Sequence, residues 1–256
     1  MNLKNRTILI TGGSAGIGLA FALKFVELGN EVIVTGRCQA VLDDVKAKYP
    51  MLHTIQSDVA NPEQIAALAA RVKAEFPNLD VLMNNAGIML YENLKAPAAD
   101  LAALTAEMDI NVGGVIRMTS AFIDVLTANK GTVINVSSLA FAPLPATPIY
   151  SATKAAIHSY TQSLRFQLEE SGVEVIELMP PGVKTALSAD LPEGGLLSLI
   201  TTDELVKQSF ASLKAGALEI RPGQSKTLAL MRRLAPDFIN GQLWKTSKKL
   251  VPVGAA

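Results

Sequence analysis

Thr11-Gly12-Gly13-Ser14-Ala15-Gly16-Ile17-Gly18 sits between two patterned runs. Before it, Arg6–Thr11 (Arg-Thr-Ile-Leu-Ile-Thr) reads as a short buried strand. After it, an amphipathic helix runs to about Leu28 and stops at Gly29, and Glu31–Thr35 (Glu-Val-Ile-Val-Thr) reads as the next buried strand. This is a β-α-β unit of about 30 residues opened by a glycine loop. Gly12 permits a tight turn and Gly16 lets backbone approach a pyrophosphate, while Gly18 lets the helix pack on the strand. The helix N-terminus then offers N–H groups and partial positive charge to phosphates. The spacing is G-x-x-x-G-x-G, not the commoner G-x-G-x-x-G.

Working outward, the same alternation repeats. Strands are expected at Leu52–Gln56, Leu79–Met83, Thr132–Val136 and Val173–Leu178, with a last short one at Leu218–Arg221. Helices are expected over Asn61–Phe76, with Asn61 as cap and Pro62 first in the helix, and over Pro97–Asp109 and Asn111–Ala128. Others follow from Tyr150, over Asp203–Lys214 and over Ser225–Leu234, and the stretch from Pro236 reads as polar, basic and poorly packed at its end. Six to seven strands alternating with helices predict one α/β domain over 1–256. Its core is a single doubly wound, Rossmann-type parallel sheet with helices on both faces. Residues 186–220, broken by glycine and proline, read as a lid over the substrate.

Composition bounds the function. The 256 residues are 49% apolar and 18% charged, with 23 basic and 23 acidic side chains. The charge balance gives no net reason to bind nucleic acid or an anionic membrane. Cys38 is the lone cysteine, and with only His53 and His158 beside it a structural zinc site is not expected. No metal is called for. Neither a signal peptide nor an apolar run of about 18 residues is evident, so a cytoplasmic location is expected.

The polar candidates fall just after strands or at the starts of helices, where ligands bind in such sheets. The second strand ends in Thr35-Gly36-Arg37, where an NAD site often carries an acid; an arginine instead favours a 2′-phosphate, hence NADP(H) over NAD(H). Asp58, before Val59, can accept from an adenine amino group or cap its own turn. Asn84-Asn85-Ala86-Gly87 suits a loop where backbone meets a flat ligand, unless its amides simply hold the turn. Tyr150 and Lys154, four apart, share a helix face, and a nearby ammonium favours the phenolate of a group whose pKa is ordinarily about 10. Ser137-Ser138 closes the fifth strand, and the prolines Pro143, Pro145 and Pro148 stiffen the loop leading to Tyr150.

In this order and spacing, Thr11-Gly12-x-x-x-Gly16-x-Gly18, Asn84-Asn85-Ala86-Gly87, Asn111, Ser137-Ser138 and Tyr150-x-x-x-Lys154 resemble the short-chain dehydrogenase/reductase family from about Lys4 to Thr185. The likeness is nearest to a subgroup labelled for D-alanylation of teichoic acids. The resemblance implies hydride transfer between a nicotinamide and a ketone, aldehyde or secondary alcohol. It makes Tyr150 the general acid/base, Lys154 its activator and ribose ligand, Asn111 the holder of a relay water and a strand-end serine the carbonyl polariser. Strand register selects Ser138; counting back 13 residues from Tyr150, the family's usual gap, selects Ser137. The implied cofactor contacts are Gly12, Ser14, Gly16, Ile17, Gly18, Arg37, Asp58, Val59, Asn85, Ala86, Gly87, Tyr150, Lys154, Pro180, Val183 and Thr185. Proline stands at Pro181 where the family has glycine. A non-catalytic dinucleotide-binding redox sensor and a sugar-nucleotide epimerase are the rival readings. His158 is expected to be a packed or interfacial helix residue. Leu90, Leu144, Leu187, Leu191 and Leu196 suggest an apolar pocket for a hydrophobic small molecule. The family's pairing helices, here with Leu101, Leu104, Met108, Leu164 and Leu168, imply a homodimer or homotetramer.

Overall fold

The computed structural model describes residues 2–95, 100–139, 143–190 and 198–250. Its elements run β1 (Thr7–Thr11), α1 (Gly16–Glu27), β2 (Glu31–Gly36), α2 (Gln39–Lys48), β3 (His53–Gln56), α3 (Pro62–Glu75) and β4 (Leu79–Asn84). Then come the short α4 (Leu101–Leu104) and α5 (Ala106–Met108), a π-helical turn (Asp109–Gly113), α6 (Gly114–Ala128), β5 (Thr132–Val136), α7 (Pro148–Gln167) and β6 (Glu174–Leu178). The chain ends with α8 (Thr202–Lys214), β7 (Glu219–Ile220), α9 (Ser225–Leu234) and α10 (Pro236–Ser247). All seven strands lie parallel in one sheet of order β3-β2-β1-β4-β5-β6-β7. The order reverses between β1 and β4, and at that switch the carboxyl ends of neighbouring strands part to leave a crevice.

Strand side chains alternate between two apolar layers, as a period of two requires. Ile8 and Ile10 of β1, with Val32 and Val34 of β2, pack under Phe21 and Phe25 of α1. Leu9 and Ile33, pointing the other way, pack with Leu68 and Val72 of α3 and Phe122 and Leu126 of α6. Burial on both faces explains the near-continuous apolar strands.

Four expectations need correction. Helix α2 has no counterpart in the sequence reading, because only Leu42 and Val45 of its ten residues are buried and its apolar signal is faint. The expected helix break at Asn111 is instead a π-helical turn inside one continuous helix, Ala106–Ala128. That helix is long and apolar enough to pass as a membrane span, yet Met118, Phe122 and Leu126 are fully buried in the core. Part of the expected lid is core: Phe210 of α8 stacks against Phe25 at 4.8 Å and Phe21 at 5.7 Å, and β7 joins the sheet. Residues 191–197 of that range lie outside the described residues. Finally, the stretch after Pro236 forms α10, whose Ile239 and Leu243 are buried with Leu139 and Leu228 in a third apolar cluster.

Candidate active site

The glycine loop is locked to the neighbouring strand by side chains as well as backbone. Asn85 Nδ2 donates to the carbonyls of Thr11 (3.0 Å) and Gly12 (3.1 Å), while Thr11 Oγ1 accepts from the N–H groups of Asn85 and Ala86. The Asn85 amide therefore holds the turn and leaves backbone to line the crevice. Gly12 adopts φ +63°, and a Cβ there would lie 2.9 Å from Ala86 Cα. A Cβ on Gly16 (φ +54°) would meet Thr185 Cγ2 at 3.4 Å, so Thr185 closes the far wall.

Two cavities of about 230 Å³ each share Gly12, Ala86 and Gly87 in their walls and together form the crevice. One extends past Ser14, Gly36, Arg37, Asp58 and Val59. Here Asp58 Oδ1 accepts from Ala60 N–H at 2.9 Å, so one carboxylate oxygen caps its own turn, and the buried Ser57 Oγ has no hydrogen-bond partner in the structure. The other runs past Gly16 and Ile17 to Tyr150, Lys154, Pro180 and Thr185. Val183 is buried beside it, bridged to Ile200, and borders the adjoining apolar cavity.

Helix α7 starts at Pro148, whose fixed φ and missing N–H suit a first helical position. Its depth is set by a buried polar ladder: Asn84 Nδ2 donates to Asn135 Oδ1 at 2.9 Å, and Asn135 Nδ2 donates to Thr161 Oγ1 at 3.0 Å. That ladder ties β4, β5 and α7 together and presents Tyr150 and Lys154 to the crevice. Lys154 Nζ lies 5.6 Å from the Tyr150 ring centroid and donates to the Val136 carbonyl at 2.9 Å. Asn111, fully buried, exchanges hydrogen bonds of 2.9 Å with the backbone of Ile88 and donates to Thr153 Oγ1. Its Oδ1 and Lys154 Nζ flank Gly87, where a Cβ would be 3.1 and 3.6 Å from them. The π-helical turn, a device common at functional sites, sets Asn111 at that depth.

The paired serines separate cleanly. Ser137 Oγ donates to the buried Glu177 Oε1 at 2.5 Å, whereas Ser138 hydrogen-bonds the Tyr150 phenol. Glu177 also receives His158 Nδ1 at 2.9 Å, and that hydrogen bond holds the His158 pKa above its ordinary value. His158 is thus a partly buried residue of α7 engaged with the buried carboxylate of Glu177.

The electrostatics depart from expectation. Burial pushes the Tyr150 phenol up to about 12; the Ser138 hydrogen bond pulls it down and the Glu107 carboxylate pushes it further up. Burial likewise drives Lys154 down to about 8, opposed by Glu107. Desolvation of the ring dominates, so the protein alone keeps Tyr150 a neutral proton donor. Glu107 is the group that sequence reasoning missed. Fully buried one turn before Asn111, it accepts from Leu90 N–H at 2.8 Å through Oε1, while Oε2 is buried without a partner. Burial raises its pKa, the Leu90 N–H lowers it, Glu92 raises it and Lys154 lowers it. A lone glutamate in a helical stretch carries no signal that it turns inward.

Beside Tyr150 and Ser138 opens a narrower cavity of about 90 Å³, walled by Met89, Leu139, Leu144, Leu187, Leu228 and Leu243 among others. Leu144 and Leu187 were expected there; Leu191 and Leu196 lie outside the described residues, and Leu90 is not among the lining side chains. Its other apolar walls include Met89 after β4, Leu139 after β5, Leu228 of α9 and Leu243 of α10. Among the described residues no cluster of histidine, cysteine or acids could hold a metal.

Residues 6–194 match the family model described as short chain dehydrogenase. The uncharacterized oxidoreductase DltE of Bacillus subtilis (strain 168) is 42% identical over 224 residues, 86% of this chain and 89% of that protein. The NADPH-dependent 1-acyldihydroxyacetone phosphate reductase of Schizosaccharomyces pombe is 38% identical over 188 residues, 71% of this chain and 61% of that protein. Among solved structures, a short chain dehydrogenase from Burkholderia cenocepacia J2315 in complex with NADP superposes with a TM-score of 0.83 at 30% identity, covering 95% of this chain and 99% of that one.

Proposed function

Because the chain belongs to the short-chain dehydrogenase family, a family of oxidoreductases, we propose that it transfers a hydride between NADP(H) and a ketone, aldehyde or secondary alcohol, with Tyr150 as general acid/base. The observation that carries this reading is the Ser138–Tyr150 hydrogen bond at the junction of the glycine-lined crevice and the apolar cavity. The crevice fits a dinucleotide: at its floor a Cβ added to Gly12 would strike the Ala86 backbone, and it ends at an unpartnered buried hydroxyl, Ser57. Gly12, Gly16 and Ile17 would hold the pyrophosphate end, Ser14, Arg37, Asp58 and Val59 the adenosine, and Lys154, Pro180, Val183 and Thr185 the nicotinamide half. The bound nicotinamide supplies or accepts the hydride.

In reduction, Ser138 orients the carbonyl oxygen and Tyr150 passes its phenolic proton to that oxygen, leaving an alcohol and a tyrosinate. Lys154, an ammonium below about pH 8, stabilises that anion and feeds the proton back from the Asn111 side. Deprotonation of Lys154 removes this support, so turnover in the reductive direction is level at neutral pH and falls as pH rises through about 8. A pH–rate profile checks this: Lys154→Met shows low activity without that limb, and a wild-type rate still rising above pH 9 contradicts the assignment.

The preference for NADP(H) rests on Arg37, exposed at the end of β2 with no acid beside Gly36. A charge-assisted hydrogen bond contributes about 1.5–3 kcal/mol. Arg37→Asp therefore weakens NADPH roughly 10–100-fold and leaves NADH within a few-fold, measured as KM for each cofactor. Equal loss for both removes the preference.

The substrate we assign is a hydrophobic carbonyl compound or alcohol, on the strength of the leucine-lined cavity and the acylated substrate named for the Schizosaccharomyces pombe relative. Aliphatic and aryl ketones of increasing chain length, offered with NADPH and NADH side by side, test both the reaction and the cofactor. Absence of hydride transfer across the panel, with cofactor binding retained, would return the redox-sensor reading. For assembly, the exposed Leu101, Met108, Ile116 and Phe166 supply apolar surface on α4–α7 for a second copy, while Leu164 is buried in the core and Leu168, partly buried, packs against it.

A further inference from the structure

Helices α9 and α10 carry a chemistry that the reaction does not use. Within 225–250 stand six lysines and arginines against one acid, Asp237, so the rest of the chain is net −5 and the overall balance of zero conceals a basic end. The two helices meet at Ala235, which ends one and starts the other. Leu228 of α9 and Ile239 and Leu243 of α10 turn inward onto Leu139. At 100° per residue, the face of α9 opposite Leu228 holds Lys226, Leu230, Arg233 and Leu234. The outward face of α10 holds Phe238, Trp244, Lys245 and Lys248. Leu230 is 59% exposed, Leu234 74%, Phe238 59% and Trp244 44%, and the four cations on these faces are exposed too.

Large apolar and aromatic side chains flanked by lysine and arginine on adjoining helices match the surface of an interfacial helix. The apolar groups enter the headgroup boundary and the cations meet anionic lipid. A second copy meeting it by the same face fits less well, because that would oppose one such cationic face with another. We infer that the outer faces of α9 and α10 dock this protein on an anionic lipid bilayer. The docked helices are also those whose inner faces wall the apolar cavity beside Tyr150, through Leu228 and Leu243. This inference stands on those faces alone, whatever the reaction is.

Trp244 is the chain's single tryptophan, so its fluorescence reports the docked face directly. Purified full-length protein is mixed with vesicles of equal parts phosphatidylglycerol and phosphatidylcholine, and with pure phosphatidylcholine. The expected result is co-sedimentation and a blue-shifted Trp244 emission with the anionic vesicles, at least about tenfold weaker with the zwitterionic ones and reversed by salt. Leu230→Glu/Leu234→Glu/Phe238→Glu abolishes both signals, and Lys226→Gln/Arg233→Gln/Lys245→Gln/Lys248→Gln weakens binding about tenfold or more. Circular dichroism and Tm establish that each variant is folded, and the wild-type fluorescence stands without them. No shift with anionic vesicles overturns the inference. So does equal binding by the folded variants, or a wild-type oligomer that the leucine and phenylalanine changes convert to monomer.

Discussion

Tyr150→Phe lowers kcat for ketone reduction by about 10²–10⁴-fold, the range that a positioned proton donor contributes, while NADPH affinity stays within a few-fold of wild type. Only the hydroxyl is removed; the ring keeps its buried place on α7, and Lys154 keeps its hydrogen bond to Val136. The Ser138 hydroxyl loses its phenolic partner and cannot replace it, since an alcohol is far less acidic than a phenol. With the phenol pushed up to about 12, wild-type Tyr150 remains a loaded donor across the whole working range. The loss is accordingly independent of pH below about 8. Ser138→Ala, which keeps the proton and loses the orienting hydroxyl, falls by less, whereas Ser137→Ala acts through Glu177 and shows itself in Tm more than in kcat. A Tyr150→Phe protein with undiminished kcat, or a Ser137→Ala loss larger than that of Ser138→Ala, overturns the assignment of the donor pair. Stopped-flow single turnovers on pre-bound NADPH separate the proton-coupled step from cofactor binding.

What the sequence revealed and what it hid follow from the range of the forces involved. Strand runs and the glycine loop were legible because each strand is apolar on both faces and the loop's backbone demands are local. Tyr150 and Lys154 were legible because helical geometry alone brings positions four apart together. The strand register's choice of Ser138 agrees with the hydrogen bond to Tyr150. Hidden were the properties set by long-range packing. In place of the expected acidification, burial, invisible in a heptapeptide, pushes the Tyr150 phenol up, with the buried Glu107 adding to the rise. Glu107 was hidden because its inward turn depends on the Leu90 N–H, 17 residues away. The wall of the apolar cavity was misplaced because Leu228 and Leu243 come from the basic C-terminal helices, whose inward stripe is only one residue per turn. Counting charges over the whole chain hid the basic end in the same way.

Gly18→Ala costs several degrees of Tm and weakens dinucleotide binding at least tenfold, and Gly29→Ala supplies the contrast that identifies the cause. In Gly18, a helical position of α1, the added Cβ would stand 2.4 Å from the Gly12 carbonyl oxygen and 2.6 Å from Asn85 Nδ2. Neither neighbour is a flexible tip. The oxygen is backbone of the tight turn, and the amide is held by hydrogen bonds to Thr11 and Gly12. Relief requires the helix to slide away from β1, dragging the whole glycine loop and opening the crevice at its floor. Overpacking of this kind costs about 1–3 kcal/mol, and a shift of the loop spoils contacts that must be made within a fraction of an ångström. Gly29 sits at φ +84°, with nothing within 4 Å of an added Cβ. Alanine there pays only the strain of the left-handed region, about 1–2 kcal/mol, and stands far from the crevice. The two variants are thus expected to lose similar stability, while only Gly18→Ala loses the cofactor. Calorimetric titration with NADPH beside thermal melts makes the comparison. If both variants lose affinity in proportion to Tm, the loop's role is general stability and the close helix–loop contact has no special part in holding the dinucleotide.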